Sequence, residues 1–271
     1  MKRRQFTYLY QGKPIDYSVW FTSNDKTMNT IVFLGTVQID KLPEWVARAC
    51  PPGTAIVQGA PYWHTKPDGS DIPDFMIGYT KSALKEIGAH HTISSLNVLA
   101  DSQAVPAVIR IFTLKQYAPT LKSLVLLQPL GLNPNAFRGT ENERIATLKR
   151  RVARNAYHQI PSLVFDSRLR YNHRLLNKVA SLRNPRVKAQ YSSGLEHSAL
   201  PDLKKLTKLG ASVTIICGAK DKMFPADEIE SSLKQESLAI PVVSIRGVPH
   251  SPLATKQGLK LLNAAFSNLL K

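Results

Sequence analysis

The sequence predicts an α/β protein with a mostly parallel central sheet and helices on both faces of that sheet. Nearly continuous apolar runs, such as Leu124–Leu127 and Val213–Cys217, are typical of strands buried on both faces. Helical patterns separate most of these runs, and this alternation favours parallel strands. Two aromatic-rich runs at the start, Phe6–Tyr10 and Ile15–Phe21, flank a turn with Gly and Pro and predict an antiparallel hairpin.

Apolar spacing and breaker residues define the elements between the hairpin and residue 134. Pro51-Pro52-Gly53 ends one helix, and Gly35 and Gly59 end strands. Asp74 is a favourable helix cap, and apolar residues after it recur at helical spacing as far as Gly88. The predicted order is strand Thr30–Leu34, helix Leu42–Cys50, strand Ala55–Gln58, helix 74–88, strand Ile93–Leu99, helix Val105–Tyr117 and strand Leu124–Leu127.

The alternation of helices and strands resumes near residue 201. Residues 135–200 interrupt it, because they contain few strand-like runs and have a mainly helical pattern. We therefore predict a helical lid at 135–200, inserted between two parts of the α/β core at 1–134 and 201–271. The predicted elements of the second part are helix Leu203–Leu209, strand Val213–Cys217, helix Asp227–Gln235, strand Val242–Ile245 and helix Leu253–Leu270.

The composition is typical of a chain with a sizeable core, since 43% of the residues are hydrophobic and 20% are charged. The two cysteines, Cys50 and Cys217, adjoin apolar runs and predict buried thiols rather than a disulfide or a metal site. No apolar segment of the signal-peptide type follows the basic start, and no run has the length of a membrane span. We expect a cytoplasmic protein.

The chain carries a large excess of positive charge, with 36 Lys and Arg against 19 Asp and Glu and a net charge of +17. From Arg138 to Lys188 there are thirteen basic and three acidic residues. Such a field attracts anions, so an anionic acyl substrate or a weak contact of the lid with an anionic membrane is one interpretation, with Arg150, Arg151 and Arg154 as candidates. A solvated helix face is the other. No nucleic-acid-binding module is recognisable, so we expect no specific nucleic-acid partner.

Ser102 lies where a predicted strand passes directly into a predicted helix. A serine at such a tight turn stands clear of the sheet as a candidate nucleophile, and the helix N-terminus favours negative charge there. The turn requires small residues two positions to either side, which Ala100 and Ala104 provide. Asp101 fits the nucleophile position less well, because larger residues stand at the same offsets from it. A second interpretation is that Ser102 only caps the following helix.

Two further polar residues follow strands late in the chain. Asp221 comes after Val213–Cys217, and His250 lies in a loop with two prolines after Val242–Ile245. The carboxyl ends of parallel strands meet at one edge of a sheet, where catalytic residues collect. Each residue also has an ordinary interpretation, the aspartate in a turn and the histidine in a rigid loop. No other histidine pairs with Cys or carboxylates at ligand spacing, so we predict no metal site and no cofactor.

The order serine, aspartate, histidine, each placed after a strand, resembles the α/β-hydrolase superfamily. The resemblance extends over nearly the whole chain and is closest at Gly218–Pro225 and Gly247–Leu253. It implies that Ser102 is the nucleophile, that His250 is the general base, and that Asp221 orients the imidazole and stabilises its charged form.

The resemblance also implies an oxyanion hole made of two backbone N–H groups, that of Gln103 and one from the loop 35–38, where Thr36 is favoured over Val37. Two features depart from the family pattern: Ala-x-Ser-x-Ala replaces Gly-x-Ser-x-Gly, and Leu34-Gly35 stands where members often carry His-Gly. The implied activity is hydrolysis of a small or medium-sized ester, thioester or amide through an acyl-enzyme. An acyltransferase and a non-catalytic binding protein of the same fold are the alternatives.

Overall fold

A computed structural model describes residues 2–35, 44–61, 65–66, 68–93, 95–165, 188, 192, 195–250 and 256–269. Within these ranges the strands form one eight-stranded sheet. They are β1 Lys2–Tyr10, β2 Lys13–Phe21, β3 Thr30–Phe33, β4 Thr54–Val57, β5 Leu96–Asp101, β6 Leu121–Leu127, β7 Ser212–Gly218 and β8 Val242–Ile245.

The helices that cover the sheet alternate with its parallel strands along the chain, as the sequence predicts. They are α1 Glu44–Ala49, α2 Ile72–His90, α3 Val105–Phe112, α4 Glu141–Phe165, α5 Leu200–Lys208, α6 Ala226–Gln235 and α7 Lys256–Leu269. None of the helices in the described ranges combines the length and the apolarity needed to cross a bilayer.

The strand order is β1-β2-β4-β3-β5-β6-β7-β8. The hairpin β1–β2 and the pair β2–β4 are antiparallel, and the remaining pairs are parallel. From β3 the chain adds β4 on one side and then crosses back to add β5 on the other. The strand order therefore reverses between β3 and β5, and such a reversal opens a crevice at the carboxyl ends of the strands.

The two faces of the sheet are buried by different sets of helices. Val98 and Ile215 belong to the layer that contains α2, α3, α5 and α6. Their chain neighbours Leu99 and Ile216 belong to the opposite layer, with α1 and α7. Because successive strand residues point to opposite faces, burial on both sides requires an apolar residue at nearly every position. This explains the continuous apolar runs of the central strands.

Several predicted boundaries differ from the structure: the predicted helix Leu203–Leu209 is observed at Leu200–Lys208, and the predicted strand Ile93–Leu99 at Leu96–Asp101. Two helix boundaries illustrate the reasons. The helix α2 begins at Ile72 rather than at Asp74, and its N-cap is Asp71, without a side-chain capping bond. Pro73 fits in this first turn because the N–H groups there have no partner within the helix. The helix α3 ends at Phe112, well before Tyr117, and turns follow it.

The helix α4 lies inside the segment predicted as a lid. Its Arg151 is largely buried, donates to both carboxylate oxygens of Glu228 in α6 at 2.8 and 2.9 Å, and donates to the Met223 carbonyl at 3.0 Å. Arg151 is therefore part of the folded core rather than a free surface cation, whereas Arg150 and Arg154 are exposed. Residues 166–187 lie outside the described ranges, so the lid and the three-part division of the chain stay predictions.

Candidate active site

The three residues predicted to form a site all lie beyond the carboxyl ends of strands. Ser102 directly follows β5, Asp221 follows β7, and His250 follows β8. Ser102 also lies at the reversal of strand order, because β5 is the neighbour of β3 there. The sheet therefore brings the predicted nucleophile to the crevice where open α/β sheets bind ligands.

Ser102 occupies a strained turn between β5 and α3. Its φ is +50°, in the left-handed region, and it opens a single 3₁₀ turn, Ser102–Ala104, that leads into α3. Ala100 and Ala104 are 0% and 5% exposed, so the turn has small buried flanks as predicted. The N-cap of α3 is Ala104, without a side-chain capping bond, so Ser102 does not cap this helix. A non-glycine residue with positive φ is typical of functional turns.

The backbone just after β3 packs closely against this turn. A Cβ added at Gly35 would lie 3.1 Å from Oδ2 of Asp101 and 3.3 Å from Cβ of Ser102. The Gly35 N–H donates to that same Oδ2, at 3.3 Å. Glycine at position 35 therefore lets the end of β3 lie directly against the candidate nucleophile.

His250 and Asp221 are in direct contact. Nδ1 of His250 lies 2.9 Å from Oδ2 of Asp221. The other oxygen, Oδ1, accepts the backbone N–H groups of Met223 at 2.7 Å and of Phe224 at 2.9 Å. Because an ionised carboxylate only accepts hydrogen bonds, Nδ1 carries the proton, and in the neutral ring Nε2 is then the basic nitrogen.

Apolar contacts and a close backbone approach support this pair. The Phe224 ring meets the His250 ring edge-on, with centroids 5.3 Å apart. A Cβ added at Gly218 would overlap the Val248 carbonyl, and the Lys220 N–H donates to the same carbonyl oxygen at 2.8 Å. Glycine at the end of β7 thus allows the loop that carries His250 to lie against the loop that carries Asp221.

The electrostatics of the site favour a charged imidazole. Burial would lower the pKa of His250, but the charge and the hydrogen bond of Asp221, with the charge of Asp101, outweigh it and raise the pKa above its ordinary value. Asp221 itself is 2% exposed and accepts hydrogen bonds from Met223, Phe224 and His250. A carboxylate in contact with an imidazole favours the protonated form of the ring.

Asp101 is a second buried acid beside the site. Burial raises its pKa to about 6, although the charge of His250, the Gly35 N–H and the Gln128 side chain all oppose this rise. The charges of Asp101 and His250 also act on each other's pKa. The sequence analysis gave Asp101 only as a weaker nucleophile candidate.

Known proteins resemble the chain in structure, whereas no protein-family model and no curated protein sequence matches it. The bromoperoxidase from Bacillus anthracis is 15% identical over 98% of this chain and 99% of that chain, with a TM-score of 0.61. The esterase RhEst1 from Rhodococcus sp. ECU1013 is 14% identical over 100% and 99%, with a TM-score of 0.62. MGS-M2, an α/β-hydrolase enzyme from a Medee basin deep-sea metagenome library, is 16% identical over 97% of both chains, with a TM-score of 0.62.

The chain has the α/β-hydrolase fold. The likeness covers the antiparallel opening and the parallel core alike, since almost the full length of each chain is superposed. Identities of 14–16% establish the fold alone.

Of the two predicted oxyanion donors of this α/β-hydrolase fold, the structure describes one, Gln103. Gln103 lies in the first turn after Ser102, where backbone N–H groups have no partner inside the helix and are free to bind an anion. Thr36 lies outside the described residues. The N–H of its neighbour Gly35 is used by Asp101.

A cavity of about 460 Å³ opens beside the turn after β5, with Gln103 in its wall. Apolar residues from α2, α3 and the chain after β6 line one side, among them Met76, Pro106 and Leu130. Arg110 and Asp202 form an ion pair of 2.6 Å in another part of the wall. Its volume is in the range of small-molecule sites.

Sequence reasoning missed one residue that contacts the predicted base. Asn155 in α4 is 3% exposed and hydrogen-bonds to the backbone of His250. Its partners are far away along the chain, so no local pattern predicts these bonds. The available signal was an asparagine in the middle of a long helix, where its low helix propensity calls for a compensating contact.

Proposed function

We propose that this protein is a serine hydrolase that cleaves a small or medium-sized ester, thioester or amide through an acyl-enzyme. The observation that carries the proposal is the 2.9 Å contact between Nδ1 of His250 and Oδ2 of Asp221, at the sheet edge where Ser102 stands at φ +50°. A buried carboxylate, an oriented imidazole and a serine in a strained strand-to-helix turn are the parts that such chemistry requires.

In the first half of the reaction, Nε2 of His250 takes the hydroxyl proton of Ser102 while Oγ bonds to the substrate carbonyl carbon. The N–H groups of Gln103 and Thr36 hold the resulting oxyanion, and one such donor contributes on the order of 10²–10³ in rate. His250 then returns the proton to the leaving group as the bond between carbon and leaving group breaks.

In the second half, His250 removes a proton from water, and the hydroxide oxygen bonds to the acyl carbon. The proton passes back to Oγ of Ser102 when the acid leaves, which restores the starting enzyme. Another nucleophile in place of water would make the same site an acyltransferase. Product analysis with an added alcohol or thiol distinguishes the two outcomes.

The net charge of +17 supports an anionic acyl substrate, because a positive field concentrates anions near the site. The esterase RhEst1 supports acyl chemistry on this fold. The turn forms with alanine in place of the family's glycine at positions 100 and 104, and both alanines are buried there.

The test is labelling with a fluorophosphonate, which bonds to activated serines. We expect labelling and hydrolysis of p-nitrophenyl esters by the native chain, and neither by Ser102→Ala with an unchanged circular dichroism spectrum. Ser244→Ala, at an exposed serine of β8, is the matched control and keeps both activities. A native chain that is neither labelled nor active on the ester panel would instead support the non-catalytic binding protein.

A further inference from the structure

The carboxamide of Asn155 binds the backbone of His250 in both directions. Its Oδ1 accepts the His250 N–H at 2.9 Å, and its Nδ2 donates to the His250 carbonyl at 2.9 Å. The same Oδ1 lies 3.5 Å from the N–H of Lys222, the residue after Asp221. One buried side chain of α4 therefore touches both loops that carry the candidate acid and base.

This pairing restrains more than a single hydrogen bond does. A carboxamide carries one donor side and one acceptor side, as a peptide group does, so two bonds to one residue fix both its position and its orientation. Asn155 is 3% exposed, and a buried polar group that loses its partner destabilises the protein, so the bonds resist opening. His250 also follows Pro249, whose ring restricts the backbone before it.

A second residue on the same face of α4 holds the neighbouring loop. Arg151 lies four residues before Asn155, which places the two side chains one above the other on the helix. It donates to the Met223 carbonyl and to both carboxylate oxygens of Glu228. Met223 in turn donates its N–H to Asp221. Two successive turns of α4 thus contact the loop that carries Asp221 and the loop that carries His250.

We propose that Asn155 is a positioning residue that holds His250 against Asp221 and joins α4 to this pair. Its effect on turnover rests on the proposed hydrolase function, whereas its effect on the imidazole does not. The 2.9 Å contact between His250 and Asp221 depends on two loops that follow different strands, and Asn155 is a side chain that bonds to the backbone of both.

The kinetic test compares two Asn155 variants with a control on the same helix. Asn155→Leu has a similar volume and removes both bonds, so we expect kcat to fall about 10²-fold with KM changed little, because misplacement by about 1 Å has this effect. Asn155→Asp keeps the acceptor and loses the donor, so we expect an intermediate decrease. Arg144→Met removes the bonds of Arg144 to Ser192 and Gly139 at the start of α4, and we expect lower stability with native kcat. Native kcat in Asn155→Leu would overturn the proposal.

The second test reads the imidazole directly by NMR titration of ¹³C-labelled histidine. The His250 signal is assigned by its absence from His250→Gln. We expect a pKa above 6.5 in the native chain and a decrease toward 6.5 in Asn155→Leu, because a loosened ring loses the contact with Asp221. The other group that sets this pKa, Asp101, is left unchanged. An unchanged His250 titration in Asn155→Leu would refute positioning.

The NMR test separates this proposal from the hydrolase function. A native chain without turnover or labelling, in which Asn155→Leu still lowers the pKa of His250, would refute the hydrolase and retain the positioning role. If Asn155→Leu does not fold, Asn155→Ala provides the same two measurements, because it removes both bonds to His250 without adding a charge beside the imidazole.

Discussion

Gly35 lies directly against Ser102, so that a Cβ added at position 35 would come within 3.3 Å of the Ser102 Cβ. The contact occurs at the reversal of strand order, beside the turn where Ser102 has φ +50°. The crevice of the sheet and the strained serine therefore lie at the same place in the fold.

Ser102→Gly is expected to be more stable than Ser102→Ala, although both lack turnover. Left-handed backbone costs an L-residue roughly 1–2 kcal/mol, and the greater freedom of unfolded glycine offsets about 0.4–1 kcal/mol of that difference. We therefore expect a net gain of roughly 0.5–1 kcal/mol, measured by urea denaturation of both variants. Equal stability, or a more stable alanine variant, would show that the turn at position 102 is unstrained.

Gly218→Ala is expected to displace the loop that carries His250, because the new methyl group would overlap the Val248 carbonyl. We expect kcat on an ester to fall on the order of 10²-fold, together with a lower melting temperature. Gly88→Ala is the matched control. Its methyl group would lie 3.7 Å from Ile93, and we expect native kcat with a stability gain of up to about 1 kcal/mol from helix propensity.

The pH profile of kcat/KM is expected to rise with an apparent pKa above 6.5, because His250 must be neutral to accept a proton and its pKa is raised. Asp221→Asn removes the negative charge that contributes most to raising the pKa of His250. We expect a midpoint at lower pH and a decrease in kcat of about 10⁴-fold, since the ring also loses its favoured tautomer. A midpoint that does not move would assign the acidic limb to another group.

Asp101→Asn is expected to change how stability depends on pH. The folded-state pKa of Asp101, about 6, is above its ordinary value of 3.8, so the folded chain binds the proton more tightly than the unfolded chain. Its contribution to stability is therefore present below about pH 4 and is lost as the pH rises to about 6, by as much as about 3 kcal/mol. Urea denaturation between pH 4 and 7 measures the difference between native and variant. Parallel curves would contradict the raised pKa.

Binding to anionic vesicles is expected to depend on Arg150 and Arg154 if α4 contacts membranes. Both are exposed, whereas Arg151 is paired with Glu228. We expect Arg150→Gln with Arg154→Gln to weaken binding to vesicles that contain phosphatidylserine, and added salt to weaken native binding in the same way. Lys208→Gln, at an exposed residue of α5, is the charge control. Equal binding by all three chains would show that these residues are only solvated.

The sequence was informative where local chemistry decides the structure. The strand Val242–Ile245 was predicted with its observed bounds. In a chain where helices and strands alternate, a short apolar run between turn residues predicts a buried strand. The start of α2 was missed because the prediction took Asp74 as the cap, whereas the observed N-cap is the preceding acid, Asp71. The placement of Ser102, Asp221 and His250 at strand ends followed from the same alternation, once parallel strands were assumed.

The remaining features depend on contacts between distant parts of the chain. The bonds of Asn155 reach residues 67 and 95 positions away. The raised pKa of Asp101 depends on its burial, and the Gly35 N–H that opposes the rise comes from the end of β3, 66 positions earlier in the chain. The periodicity of a sequence predicts which face of a helix or strand is apolar. It does not predict which polar groups on different elements come into contact in the folded protein.

The attachment of α4 through Arg151 and Asn155 limits how this protein can diversify or be redesigned. Replacement of residues 166–187 leaves both anchor residues and Ser102, Asp221 and His250 in place, so we expect the pairing of His250 with Asp221 to survive it. Replacement of α4 from residue 141 would remove the support of Glu228 and of the histidine loop together. Sequence changes are therefore expected to be tolerated better at 166–187 than in the part of α4 that carries Arg151 and Asn155.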